Sequence, residues 1–145
     1  MIWNPHPVKF YINESAISDK ANITRKIVRV YDPNLIMIQQ RYKKGSKGRQ
    51  KYFYALAKKA HISEDTTVIV MTSVNINDQD SSNEKHKNTI IENANLFKTS
   101  IESEEDIKQG KLQKVFVNIA VYLIEKIKKD IHITYIESIN EENST

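Results

Sequence analysis

Residues 41–59, RYKKGSKGRQKYFYALAKK, carry eight Lys or Arg, four aromatic side chains and no acid. Clustered cations release counterions from a phosphate backbone, and aromatic rings stack on bases. Lys43, Lys44, Lys47 and Arg49 stand on a Gly-containing stretch free to follow phosphates, flanked by Arg41 and Lys51 and, earlier in the chain, by Arg25, Lys26 and Arg29. Tyr42, Tyr52, Phe53 and Tyr54 are the rings suited to stacking. The plainer alternative is a hairpin whose tyrosines are core and whose lysines keep its tip soluble. The leading expectation is a small non-enzymatic protein that grips DNA or RNA through a basic-aromatic hairpin. An acidic protein surface is the alternative partner for the same cations.

The basic segment belongs to a wider sorting of charge. Residues 1–60 hold 13 of the 22 Lys and Arg and only Glu14, Asp19 and Asp32 among the acids, so the formal net of +4 hides a basic half and an acidic half. Such a layout also suits a structural assembly subunit, a virion or ring component whose basic edge docks on the acidic face of a neighbour. A metal-independent nuclease working through Lys, Arg and Tyr is a third expectation, since such sites assemble in space and leave no sequence pattern.

Other chemistry has little support. There is no cysteine, which excludes disulfides, thiolate metal sites and thiol catalysis. Asp78, Asp80 and Ser82 begin like a calcium loop, but Asn83 stands where the sharp turn needs Gly and Thr89 where a bidentate Glu belongs. His6, His61, His86 and His132 are scattered, and three glycines supply no phosphate-cradling loop. No cofactor, metal or catalytic residue is expected. Residues 56–70, with Leu56, Ala57, Ala60, Ile62, Ser63 and Val70 in place, resemble the helix-turn-helix pattern of bacterial and phage regulators. That resemblance implies a DNA-reading helix opening at Ser63. It departs from the pattern at His61, where Gly makes the turn, at Thr67, and at Glu64 and Asp65, which repel phosphates; a strand over 66–74 is the preferred reading.

The elements that must position these residues follow from local pattern. Pro5 and Pro7 hold the start extended, and 8–13 reads as a strand before a polar stretch over 14–24. Residues 26–42 read as a hairpin turning at Asp32-Pro33-Asn34. Residues 50–60 fit either a strand or a helix, 66–74 a central strand, and 75–88 a polar stretch whose first half at least is a loop. One helix is expected from a cap at Ser82 to about 98, and another from Ser103 to about 129, kinked or split at Gly110, before a last strand over 131–136. The run 115–124, VFVNIAVYLI, is apolar nearly all round. As a helix it needs cover on two sides, from the preceding helix or from a second copy meeting the 112–127 helix. The fold class expected is α+β: a mainly antiparallel sheet of about five to six strands with two C-terminal helices on one face. A single domain over 1–139 is expected, with a polar tail over 140–145. The start has no signal-peptide pattern and the longest apolar run is about half a membrane span, so a soluble protein without membrane contact is expected, in the cytoplasm or within a virion.

Overall fold

A computed structural model describes residues 23–43, 48–81 and 86–141. The β-branched and aromatic runs form strands: β1 (Ile23–Asp32), β2 (Leu35–Tyr42), β3 (Lys51–Ser63), β4 (Thr66–Thr72), β5 (Asn75–Asn77), β6 (Lys98–Ser100), β7 (Gln113–Ile127) and β8 (Asp130–Glu141). A 3-10 turn at Glu92–Leu96 and a four-residue helix α1 at Glu105–Lys108 are the helical pieces among the described residues. Six strands make one sheet in the order β1-β2-β3-β4-β7-β8, and β5 pairs with β6 in parallel beside it.

The hairpin expected over 26–42 is present, built by β1 and β2. Its turn uses the chemistry read from the sequence: the Asp32 carboxylate accepts a 2.7 Å hydrogen bond from the Asn34 amide. Residues 50–60, open between two readings, are strand β3, paired with β2 from Leu35↔Lys58 to Tyr42↔Lys51. The strand expected over 66–74 is β4, held between β3 and β7. The fifteen residues resembling a helix-turn-helix are therefore two antiparallel strands meeting at a turn between Ser63 and Thr66. The polar stretch 75–88 contains β5. The strand expected over 8–13 and the positions Lys44, Lys47 and Ser82 lie outside the described residues.

The two C-terminal helices are not there, and the α+β layout built on them is corrected by a mostly antiparallel sheet. In place of the first stand the 3-10 turn and β6. In place of the second, α1 ends at Lys108 and the rest is the fifteen-residue strand β7. The physical reason lies in VFVNIAVYLI. A run apolar on all sides fits a strand covered on both faces as well as a buried helix, and its β-branched residues favour the strand. Gly110 marks the change of course. Its φ of +71° suits glycine, and a Cβ there would stand 2.7 Å from the Ser81 hydroxyl oxygen.

Two apolar groups hold the sheet. On one face Ile36, Ile38, Phe53, Ala55, Ile69, Met71, Val115, Val117 and Tyr122 belong to a buried cluster whose described members all lie on strands. On the other face Met37, Tyr52 and Tyr54 pack against Val74, Ala94, Ile101, Ile107 and Leu112, from the chain between β4 and β7. That crossing chain is clamped by Asn88, which is fully buried. Its amide donates to the Thr72 hydroxyl at 2.6 Å and the Asn118 carbonyl at 2.9 Å, while its oxygen accepts from the Ile90 and Ile91 amides.

Candidate functional site: a cavity at the fork of the sheet

Strand β4 is short, and the sheet forks where it ends. Residues 120–125 of β7 pair antiparallel with 66–71 of β4, while Gln113 and Lys114 pair in parallel with Lys51 and Tyr52 of β3. Between those two pairings Ser73 acts as a wedge. Its amide donates to the Val117 carbonyl at 2.7 Å. Its hydroxyl donates to the Tyr54 carbonyl at 2.8 Å and accepts from the Val117 amide at 2.9 Å. Both strands are thereby satisfied across a gap that no ladder bridges. The hydrogen of the hydroxyl is committed to the Tyr54 carbonyl.

Beside this wedge the chain from Val74 to Asp80 arches over β7 and leaves a cavity of about 340 Å³. One part of its wall is apolar: Val74, Ile76, Val115 and Phe116, with the His86 ring stacked on Phe116 at 5.4 Å. The other is polar. The Asp78 carboxylate, only 4% exposed as a residue, accepts hydrogen bonds from the Tyr52 hydroxyl at 2.7 Å and the Asp80 amide at 3.2 Å, and pairs with the Lys114 ammonium at 3.1 Å. The same Tyr52 hydroxyl lies 2.9 Å from an Asp80 carboxylate oxygen, so two carboxylates share one hydrogen. Burial first, then the Asp78 charge, pushes the Tyr52 phenol far above its ordinary range. It stays a neutral donor. Among the described residues no three His, Cys, Asp or Glu converge on a point where a metal ion would sit. The cavity is amphipathic in its walls.

The residues nominated for gripping phosphates do other things. Arg41 lies against α1: its guanidinium donates to both Asp106 oxygens at 2.6 and 2.9 Å and to Glu104 at 3.1 Å. Those bonds, the Asp106 one foremost, hold Arg41 firmly protonated and keep Asp106 below the usual carboxylate range. Lys26 pairs with Glu104 as well, and Arg29 donates to the Thr99 hydroxyl and the Ser100 carbonyl. Arg25 donates to the Gln40 side chain at 2.8 Å, and Arg49 approaches the Gly110 carbonyl at 3.4 Å. Lys43 follows the end of β2, and Lys51 opens β3 opposite Tyr42. The tyrosines are core. Tyr52 is 0% and Tyr54 4% exposed, and Tyr42, also buried, meets Phe53 edge-on at 6.4 Å. The Tyr54 hydroxyl accepts from Gln39 at 2.8 Å and shares a hydrogen bond with Ser103. Its burial raises the phenol, as it does for Tyr52.

The structure thus brings Arg41, Lys26 and Arg29 to one side of the molecule, but to meet residues 99–106 of the same chain. Of the cavity residues, the sequence reading places Asp78 and Asp80 in a solvated loop and His86 in the helix expected from Ser82, and gives Ser73 and Lys114 no role. The one usable signal was the break in β propensity after Thr72, where a strand stops while its neighbours continue.

No family model matches the chain, and no curated protein matches it in sequence. Solved structures do, in fold. A crystal structure of human STARD10 superposes with a TM-score of 0.55 at 12% identity, over 97% of this chain and 44% of that one. The lipid transfer and protein localization domain of human StarD13 (DLC2) gives 0.58 at 14% identity, over 99% and 60%. The chain therefore spans roughly half the length of each. Its fold is START-domain-like.

These findings overturn the nucleic-acid-binding expectation. The aromatics are buried, several of the cations are bound to acids or other polar groups of their own chain, and the fold is START-domain-like. The virion or ring subunit falls too, because the apolar helix over 112–127 that suited self-association is a strand inside the sheet. The nuclease reading drew on the same basic segment and goes with it. Among the described residues no helix is long and apolar enough to cross a membrane.

Proposed function

We propose that this protein binds a small amphipathic molecule of the lipid class in the cavity at the fork. The observation that carries the reading is the two-sided wall: Val74, Ile76, Val115 and Phe116 against an apolar portion, and the Asp78–Lys114 pair with Asn75 and Asn77 against a polar one. The likeness in fold to a lipid transfer domain supports it. Volume limits the ligand. At about 340 Å³ the cavity falls at the low end of the roughly 300–1,000 Å³ of ligand sites, which suits one short chain rather than a two-chain lipid. Binding needs no reacting group, in keeping with a carrier or sensor rather than an enzyme.

The test is titration with a dansyl-labelled single-chain fatty acid and a lysophospholipid, with native mass spectrometry for stoichiometry. Saturable one-to-one binding is expected. Ile76→Trp, which places an indole into the cavity, should weaken it at least tenfold, whereas Ile136→Ser on the outer strand should not. Absence of saturable binding, or equal affinity in Ile76→Trp, would sink the proposal.

A further inference from the structure

The two edges of the six-stranded sheet are not alike. Edge strand β1 has two register shifts, between Ile27 and Arg29 and between Val30 and Asp32, and it carries Arg25, Lys26 and Arg29. Bulges and bases are the devices that stop an edge from recruiting another strand. Edge strand β8 has no base and no bulge of its own, the one register shift of its ladder, between Val117 and Ile119, lying on β7. Its twelve residues, DIHITYIESINE, include no Lys, Arg or Pro, and its outer side pairs with nothing among the described residues. It also leaves Ile131 55% and Ile136 63% exposed, one on each face of the sheet. An edge this long, with no base and with acids at Asp130, Glu137 and position 141 set apart along it, is a template for one more strand.

From this contrast we infer that β8 pairs with β8 of a second copy, antiparallel, to make a two-fold dimer with a continuous twelve-stranded sheet. The hairpin joining β7 to β8 has a two-residue loop, Lys128 and Lys129, closed by the Ile127–Asp130 pair. A closing pair of this kind exchanges backbone hydrogen bonds, so even-numbered β8 residues point their amides at β7 and odd-numbered ones point theirs outward. Outward groups therefore come from Ile131, Ile133, Tyr135, Glu137 and Ile139. Centring the two-fold on Tyr135 uses the whole strand and sets Ile131 opposite Ile139 and Ile133 opposite Glu137.

The charges are compatible with this self-pairing, and the full overlap of the two strands selects it. Asp130 falls opposite Asn140 and Glu137 opposite Ile133, so these acids do not meet one another. Moving the centre to Glu137 would set two glutamates face to face. On the other face the partly exposed row Val70, Val121 and Ile136 would continue toward Thr134 of the second copy. An open-ended stack is excluded by the same geometry, because the guarded β1 edge is left at both outer sides.

Absence of native cysteine makes the test direct. In the full 145-residue chain, Tyr135→Cys places two thiols across the axis on residues about 5.5 Å apart at Cα, within disulfide reach. Ile131→Cys separates them by about 27 Å along the strand. Mild oxidation should give a covalent dimer with Tyr135→Cys and leave Ile131→Cys monomeric on a non-reducing gel. Light scattering should show a dimer for the parent chain, and Tyr135→Lys, with two cations opposed at the axis, should weaken it at least tenfold. Circular dichroism reports whether that variant keeps its sheet; if it does not, the cysteine pair decides alone. A monomeric parent at all concentrations, equal cross-linking at both positions, or a folded Tyr135→Lys that dimerises unchanged would overturn the inference.

Discussion

Arg41 shows how far one side chain can depart from its apparent purpose. It sits in a run of bases, yet its side chain is only 16% exposed and its guanidinium is forked onto Asp106 with a third contact to Glu104. Arg41→Ala should cost about 2 kcal/mol, measurable by urea unfolding, because it strips charged hydrogen bonds from a partly buried group. Arg41→Lys should recover only part, since an ammonium cannot reproduce the fork. The same cluster sets a pH response. Partial burial works to raise the Glu104 carboxyl, but hydrogen bonds from Lys26, Gln39 and Arg41 outweigh it and hold it at about 2. A lowered acid contributes fully above its ordinary 4.5, and that contribution is lost as pH falls through 2. Asp106, lowered chiefly by Arg41, acts in the same direction. The melting temperature should therefore drop below pH 4.5 more gently in Glu104→Gln than in the parent, once each is referred to its own value at neutral pH. None of these pairings was legible in the sequence, because 65 residues separate Arg41 from Asp106 and charge alone does not say which acid a base will meet.

Elements were legible where local chemistry decides them. The Asp32-Pro33-Asn34 turn was readable because an Asx side chain, a preset φ and flanking β-branched runs act within a few residues. The strand β7 was not, since VFVNIAVYLI is compatible with a buried helix until the partners on both sides are known. What distinguishes the two is β4 on one side, β8 on the other, and an apolar layer on each face. The fork adds a demand that periodicity does not report: Ser73 must satisfy two strands at once. Ser73→Ala leaves the buried Val117 amide and Tyr54 carbonyl without that partner, and should cost about 2–4 kcal/mol. Thermal denaturation checks this. Loss of cavity binding beyond the loss of stability would show that the wedge also shapes the site. A cost under about 0.5 kcal/mol would mean that water replaces the hydroxyl there.

At the scale of the whole molecule, the sheet does two jobs with one crossing segment. The chain between β4 and β7 covers Met37, Tyr52 and Tyr54 and, along its first residues, walls the cavity. Ligand binding and fold stability should therefore be linked. A ligand at about 100 times its Kd should stabilise the protein by about 2.7 kcal/mol, read as a rise in melting temperature that Ile76→Trp abolishes. An unchanged melting temperature at saturation would place the ligand elsewhere. The charge sorting takes on its meaning here. Basic β1 and β2 lie under the acidic residues around α1, so much of the molecule's apparent dipole closes on itself.

The sequence alone determined a cysteine-free chain with a hairpin over 26–42, a strand opening at residue 66 and an unequal distribution of charge, because composition and short-range turn chemistry need no partner to act. Only the tertiary structure decided that Tyr52 and Tyr54 are core, that Arg41 is bound to α1, that 113–127 is a strand, and that a cavity opens where β4 stops. Burial, ion pairing and strand neighbours are relations between distant residues. They exist only once the chain has closed on itself.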